Sequence, residues 1–508
     1  MRTVSGRTDR VVVVGAGLSG LAAALHLAGR GREVIVVERG LSPGGRAGYR
    51  DQDGYRFDTG PSVLTMPDIV AGAFAAVGAE MSDYLTLSRM DPAYHALFAD
   101  GSSLNVHSGG DRMTEAVREF AGPAEAEGYQ RLRVWLTRLY DVEFGRFIDA
   151  NMDSPLSMVT PDLARLIAMG GFRRLDPAIG SFLKDERLKR VFSFQALYAG
   201  ESPMRALALY AVISYMDTVG GVFFPEGGMS ALPRSLAAAA ADAGVEFHYG
   251  QTVSALEKSG GRVSAVRTET GERFPCDAVV LTTEPPESHR LLGHVPRRPL
   301  ALRAAPSAVV LHVGSTGSWP EVGHHTISFG DAWASTFDEL IKQGRVMSDP
   351  SLLVTRPTAT DPGLAPAGRQ VFSVLAPVPN LDAGPIDWDS EARSYADGLI
   401  RTVEKRLLPG FGLEVETSHL LSPADWARQG MIAGTPFSYA HSFPQTGPFR
   451  PRNFPRNPGN VVLAGGGTTP GVGVPTVLIS GRLAADRITG VAGRNRPRTL
   501  DLSTGGGR

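Results

Sequence analysis

The chain has 508 residues, of which 43% are hydrophobic and 20% charged, so it can bury a large core and is not a disordered polyelectrolyte. With 51 basic and 52 acidic residues its formal charge is −1, which argues against the basic surface of a nucleic-acid-binding protein. A single cysteine, Cys276, excludes an intrachain disulfide and any cysteine-rich metal or iron–sulfur site.

The first predicted elements form a dinucleotide-binding pattern. The β-branched run at 10–14 predicts a buried parallel strand, and a glycine-rich turn and a helix lead to a second strand that closes on Glu38. In this pattern the glycines permit a tight turn, backbone contact with a pyrophosphate and close helix–strand packing, while Glu38 accepts hydrogen bonds from a ribose. The residues predicted to contact the cofactor in the turn are Gly15, Gly17, Leu18, Ser19 and Gly20.

The following segment, 39–62, distinguishes FAD from NAD. Its Gly-Gly-Arg run, which ends at Arg46, resembles the flavin-containing amine oxidase and carotenoid desaturase superfamily, where this run follows the ribose acid. The glycines allow close backbone contact with an extended cofactor, and Arg46 supplies a permanent cation; a solvated turn with a surface arginine is the alternative. The resemblance implies FAD contacts at Arg39, Gly45, Arg46, Gly60, Pro61 and Ser62.

Two later segments are predicted to complete the same site. The resemblance places the backbone of Val253 against the adenine, ahead of a predicted hairpin around 269–272 and a buried strand at 277–283. At 460–481 a strand, a glycine loop and a helix beginning near Pro475 are predicted. The N-terminus of that helix can face the flavin pyrimidine ring and stabilise negative charge there. The predicted contacts are Gly466, Gly467, Gly473, Val474 and Pro475.

The glycine-loop motif of 460–475 resembles the C-terminal signature of bacterial- and fungal-type phytoene desaturases, and the likeness extends over 11–488. Thr469 departs from the pattern where many relatives carry His, and Glu226 stands where a basic residue is common. The fold class expected is α/β, with a Rossmann-like FAD-binding domain of the glutathione-reductase type and a mixed α+β substrate domain built from insertions.

Four parts are expected along the chain. Segments 10–110, 221–290 and 454–490 would form the discontinuous FAD-binding domain; 111–220 a helix-rich insertion facing substrate or membrane; 291–453 the substrate domain; and 491–508 a disordered tail. The run at 207–213 is apolar on all sides, which is typical of core, of a membrane-facing surface or of a hydrocarbon tunnel.

No metal or triad motif accompanies the flavin pattern. The side chains considered for accepting a substrate proton are Glu226, Asp217, Asp141 and Glu143, each beside an apolar run, where a solvated or paired acid is the alternative interpretation. The His324–His325 pair has no third partner, so no metal site is predicted.

The resemblance implies an FAD-dependent desaturase that introduces C=C bonds into phytoene or a related acyclic polyene. A flavin amine oxidase, another carotenoid oxidoreductase (a hydroxyneurosporene-type desaturase or a saturase), and a non-catalytic flavin scaffold or carotenoid carrier are the alternatives. A long apolar polyene, a membrane surface, and a quinone or oxygen as electron acceptor are the expected partners. Without a spanning segment or signal peptide, the expected location is cytoplasmic, peripheral at the inner face of the cell membrane.

Overall fold

A computed structural model describes residues 1–296 and 301–491, so most of the predicted tail lies outside the described residues. The strands in these ranges are β1 (Arg10–Val14), β2 (Glu33–Val37), β3 (Tyr49–Gln52), β4 (Tyr55–Asp58), β5 (Leu87–Arg89), β6 (Tyr94–Leu97), β7 (Ser103–Val106), β8 (Phe223–Pro225), β9 (Glu246–His248), β10 (Val253–Ser259), β11 (Arg262–Thr268), β12 (Arg273–Pro275), β13 (Ala278–Leu281), β14 (Ser307–Ser315), β15 (His325–Ser328), β16 (Leu352–Thr355), β17 (Gln370–Val378), β18 (Val415–Leu421) and β19 (Val461–Leu463).

The α-helices of the same ranges are interspersed with these strands, and α3 to α8 follow one another with no strand between them. They are α1 (Leu18–Ala28), α2 (Pro67–Ala75), α3 (Gly110–Ala121), α4 (Pro123–Glu143), α5 (Pro161–Ala168), α6 (Leu175–Ile179), α7 (Glu186–Val191), α8 (Ala211–Tyr215), α9 (Ala231–Asp242), α10 (Pro285–Leu292), α11 (Ala334–Asp338), α12 (Trp388–Arg406), α13 (Pro423–Arg428) and α14 (Val474–Thr489).

A five-stranded parallel sheet, in the order β19–β13–β1–β2–β9, carries the dinucleotide-binding elements. Its central strand β1 is buried over Val11–Val14, as expected for a strand covered on both faces. Helices α1 and α14 pack so closely that a Cβ at Gly481 would lie 2.2 Å from the carbonyl oxygen of Ser19. The predicted α/β fold class is confirmed.

A seven-stranded sheet forms the second large layer, in the order β18–β14–β17–β16–β15–β6–β7. Its strands β6 and β7 come from the segment 94–106, which the sequence placed in the FAD-binding domain. The difference arises because β6 pairs with β15, some 230 residues further along the chain, and local patterning carries no information about that partner.

The segment 110–220 contains helices α3 to α8, two of which, α4 and α8, lie side by side. Tyr140 of α4 stacks on Tyr215 of α8, with ring centroids 4.3 Å apart and planes 19° from parallel. Each helix continues directly into a π-helical turn, Phe144–Ile148 after α4 and Met216–Gly220 after α8. Single π-helical turns in helices are frequently found at functional sites.

Candidate active site

The glycine turn after β1 forms one wall of a dinucleotide cradle. Helix α1 begins at Leu18, and Gly17 in front of it provides no side-chain cap, so the first backbone N–H groups remain available. Gly17 also lies close to Gly45, where a Cβ would be 3.2 Å from the Gly17 Cα. The backbones of the two glycines therefore approach each other with no side chain between them, which lets their polar groups contact a pyrophosphate.

Glu38 is fixed at the carboxyl end of β2. Its Oε2 accepts a hydrogen bond of 2.6 Å from the Ala16 amide, and its Oε1 accepts one of 2.7 Å from the Gly40 amide. The side chain is buried and lines the same cavity as Val253. A carboxylate held in this way is suited to accept hydrogen bonds from ribose hydroxyls.

Arg46 lies between the Gly-Gly-Arg turn and the glycine loop of 465–473. Its guanidinium forms an ion pair with Glu284, and burial lowers the pKa of Arg46 to about 10. The Arg46 Nη1 would lie 3.5 Å from a Cβ at Gly466, so the two segments meet at this side chain. The Gly-Gly-Arg pattern predicted a cofactor contact at Arg46, whereas no motif in the sequence singles out Glu284.

The glycine loop is held by side chains that the sequence did not single out. The Gly465 amide donates to Ser480 Oγ at 3.0 Å, and that hydroxyl donates to the Thr469 carbonyl at 3.1 Å. The buried Arg450 donates to the carbonyls of Thr468 and Gly466 at 3.1 and 2.8 Å. These bonds orient the loop before α14 begins.

A cavity of about 1190 Å³ brings most of the predicted cofactor residues together. Its wall includes Gly15, Gly17, Leu18, Ser19, Glu38, Arg39, Gly45, Arg46, Gly60, Pro61, Ser62, Val253, Gly466, Gly473, Val474 and Pro475. Gly20 and Gly467 are not part of this wall and instead allow close packing. A Cβ at Gly20 would lie 1.9 Å from the Gly15 carbonyl oxygen, and a Cβ at Gly467 would lie 2.5 Å from Pro285 Cγ.

These residues fit an extended dinucleotide such as FAD. Helix α14 begins at Val474 behind Gly473, whose φ of 128° favours glycine, and like α1 it has no side-chain cap. Two helix N-termini, an anchored carboxylate at Glu38 and side-chain-free backbone therefore face one cavity. Uncapped N-termini stabilise negative charge on a phosphate or a reduced ring.

The remainder of the cavity is an apolar chamber. The side chains that line it include Phe147, Ile148, Met158, Phe172, Phe194, Leu197, Leu209, Val212, Ile213, Met216, Ile327, Phe329, Trp333, Leu352, Leu353, Phe437, Phe443 and Phe449. The apolar run at 207–213 thus contributes to the lining, one of the positions predicted for it. Such a wall binds hydrocarbon and excludes water.

Asp217 is the candidate proton acceptor that the structure places in this chamber. It sits on the π-helical turn after α8, is 2% exposed, and accepts a hydrogen bond of 2.9 Å from the Tyr94 hydroxyl. Burial raises the pKa of Asp217 to about 7, although the Tyr94 hydrogen bond opposes the shift. A carboxyl with a pKa near neutrality is matched to proton transfer.

The other candidate acids divide between surface and interior. Glu226 and Asp141 are exposed and lie outside the cavity wall, so the structure does not bring them to the site. Glu143, two residues after Asp141, is buried and lines the cavity, a difference set by the direction of one helix face.

The histidine pair is buried without a metal-ligand arrangement. His324 and His325 pack with ring centroids 4.4 Å apart, and His325 is close to the Tyr94 ring. Across the two described ranges, no group of three or more His, Cys, Asp or Glu side chains is placed to hold a metal ion.

The parallel sheet, the two uncapped helix N-termini and the continuous apolar chamber together define a flavin-dependent oxidoreductase. Residues 18–489 match the model of the flavin-containing amine oxidoreductase family, and the chain belongs to this family. Its cofactor is FAD, as predicted.

The relatives in sequence are more specific. The chain is 62% identical to a phytoene dehydrogenase of Streptomyces griseus, over 98% of this chain and 99% of the relative. It is 35% identical to a zeta-carotene-forming phytoene desaturase of Myxococcus xanthus, over 94% of this chain and 93% of the relative. The predicted resemblance to phytoene desaturases is confirmed.

The solved structures agree on the fold. An oxidoreductase from Methanosarcina mazei superimposes with a TM-score of 0.60 at 17% identity, covering 93% of this chain and 98% of its own. A putrescine oxidase mutant superimposes with a TM-score of 0.61 at 14% identity, covering 95% of this chain and 98% of its own.

Over the described residues, no helix is both long enough and apolar enough to cross a bilayer.

Proposed function

We propose that this protein introduces C=C bonds into phytoene or a related acyclic polyene. The observation that carries the proposal is the apolar chamber, which is continuous with the dinucleotide cradle and lined by hydrocarbon side chains. A long polyene has no charge to pair and gains binding energy from this kind of surface. The long matches to phytoene desaturases support the same substrate class.

The chain's own residues position the substrate and remove a proton. FAD, held by Glu38, Arg46 and the two helix N-termini, would supply the two-electron oxidation of the substrate. Asp217, with a pKa near neutrality, accepts the proton, and the Tyr94 hydroxyl orients its carboxylate. The apolar walls exclude water from the reacting carbons.

The substrate reaches the chamber from a membrane surface in this proposal. We name the exposed apolar side chains around the opening the apolar rim: Leu156, Val159, Ile167, Phe172, Phe443 and Phe449. Phe172, Phe443 and Phe449 also line the chamber, so the rim adjoins it. The exposed Arg165 and Arg173 flank the rim and favour anionic headgroups at the inner face of the cell membrane.

The experiment that tests the function is expression of the chain in cells that accumulate phytoene. We expect extracted pigments to absorb at longer wavelengths, with band positions that count the added double bonds. Unchanged phytoene, in cells whose purified protein contains FAD, would contradict the proposal.

An anaerobic measurement separates the alternatives. Phytoene in micelles is expected to bleach the flavin absorbance of the purified protein. Bleaching by a primary amine and not by phytoene would indicate an amine oxidase, and bound polyene without bleaching would indicate a carrier.

A further inference from the structure

Glu143 is a buried acid in the chamber that the proposed desaturation step does not use. It ends α4, is 4% exposed and lines the cavity. Its Oε1 has no hydrogen-bond partner among the described residues, and no salt bridge to Glu143 occurs within residues 1–296 and 301–491. An unpartnered buried carboxyl oxygen costs free energy unless a ligand satisfies it.

Burial favours the protonated form of this acid. Desolvation raises the pKa of Glu143 well above its usual value. A protonated carboxyl is neutral and carries an O–H donor, so it can face an apolar chamber and still donate one directional hydrogen bond.

The surroundings of Glu143 connect it to the cofactor loop. Tyr210 lies near Glu143 in the wall of the same cavity; its hydroxyl hydrogen-bonds Thr446 and its ring packs on His441. The His441 imidazole lies against Gly471 of the glycine loop, where a Cβ would be 2.3 Å from Cε1. Tyr210, Thr446 and His441 therefore form a polar patch in the chamber wall, beside the loop that precedes α14.

This polar patch lies on the side of the chamber that adjoins the apolar rim. Tyr210, Thr446, Phe443 and Phe449 all contribute to the lining, and Phe443 is 54% exposed. An aromatic mouth of this kind admits a flat, lipid-soluble ring. Each desaturation removes two electrons from the substrate, so an oxidant must also reach the cofactor.

We propose that Glu143 forms, with this aromatic mouth, a binding site for the carbonyl oxygen of a lipid-soluble quinone. The carboxyl O–H donates to the quinone carbonyl, and the ring lies among the aromatic side chains of the mouth. The assignment rests on the proposed function, since it identifies the partner that accepts the electrons of desaturation. Asp217 and Glu143 then serve different ligands in one chamber.

The test measures binding to the full-length holoprotein and needs no polyene turnover. A naphthoquinone with a short prenyl chain is compared with the same naphthalene lacking both carbonyls, by quenching of Trp333 and Trp426, which line the cavity. We expect the quinone to bind at least about 10-fold more tightly, the range of one buried hydrogen bond. Infrared difference spectra should show a downshifted protonated-carboxyl band when the quinone binds.

Three variants make the result specific. Glu143→Leu should abolish the preference for the quinone, whereas Glu143→Gln, which still donates, should retain most of it and lose the infrared band. Asp141→Asn, an exposed neighbour on the same helix, is the control and should bind as the unmodified protein. Should Glu143→Leu fail to fold, the infrared band and its loss in Glu143→Gln carry the test.

Equal affinity for the quinone and the carbonyl-free analogue would overturn the site, as would a preference that persists in Glu143→Leu. A terminally hydroxylated acyclic polyene is the third probe. If it binds more tightly than the quinone, and this advantage disappears in Glu143→Leu, the site belongs to an oxygenated substrate and the quinone assignment is wrong. Because phytoene is absent, failure here is separate from failure of the pigment test.

Discussion

Asp217 illustrates how a single buried carboxyl can carry the chemistry of an otherwise apolar chamber. We expect Asp217→Asn to slow polyene-dependent flavin reduction by about 100-fold or more, the range of general base catalysis, because an amide cannot accept the proton. The measurement is anaerobic stopped-flow absorbance with phytoene. Asp141→Asn, with its exposed side chain, is the matched control and should leave the rate unchanged.

The same measurement has a pH signature. With a pKa raised to about 7, Asp217 is ionised and competent above that pH, so flavin reduction should slow as pH falls through about 7. This dependence should flatten in Asp217→Asn. A profile that keeps its shape in the variant would assign the titration to another group.

Burial of the Asp217 carboxyl should also lower the free energy of unfolding. Its folded-state pKa is raised from 3.8 to about 7, so the unfolded chain ionises first and folding stability declines as pH rises between these values. The shift corresponds to an upper bound of about 4 kcal/mol, fully expressed above neutrality.

We therefore expect Asp217→Asn to raise the free energy of unfolding at about pH 8 and to have a much smaller effect near about pH 4. Denaturant titrations of both proteins at the two pH values measure this difference. An effect of equal size at both would show that the pKa of Asp217 is not raised in the folded protein.

At the scale of the element, the contact between α1 and α14 holds the two helix N-termini that face the cofactor. A methyl group at Gly481 would enter the backbone of α1 at Ser19, so the helices must separate. We expect Gly481→Ala to destabilise the protein by about 2 kcal/mol or more and to lower its FAD content. Thermal unfolding and the flavin-to-protein absorbance ratio measure the two effects.

Gly398 provides the matched control for that substitution. It also lies inside a helix, α12, but a Cβ there would meet no atom closer than 3.8 Å, the Nη2 of Arg401. Gly398→Ala should stabilise the protein by about 0.5 to 1 kcal/mol, because alanine has the higher helix propensity. Destabilisation of similar size in both variants would argue against the contact as the cause.

At the scale of the whole molecule, the apolar rim is predicted to mediate membrane binding. Ile167 is 59% exposed on α5, and Ile167→Asp places a charge where the acyl boundary would lie. We expect this variant to lose most of its co-sedimentation with vesicles containing phosphatidylglycerol. Leu413→Asp is the control, since Leu413 is 90% exposed outside the rim. Equal binding by both variants would contradict the proposed docking surface.

Prediction from sequence succeeded where function depends on consecutive backbone. The turn after β1, the position of Glu38 and the start of α14 follow from glycine spacing and strand patterning, because phosphate binding uses the geometry of a continuous strand–turn–helix unit. The sequence could not distinguish Asp217 from Asp141 and Glu226, since all three adjoin apolar runs.

The fold class, the FAD cofactor and the family can be predicted from the sequence, because they depend on local patterns that do not require knowledge of long-range partners. Tertiary structure alone decided which acids are buried, that Tyr94 meets Asp217, and that β6 and β7 join the larger sheet. Burial and long-range pairing arise from segments more than a hundred residues apart. A carboxyl acquires its raised pKa only when those segments remove its water.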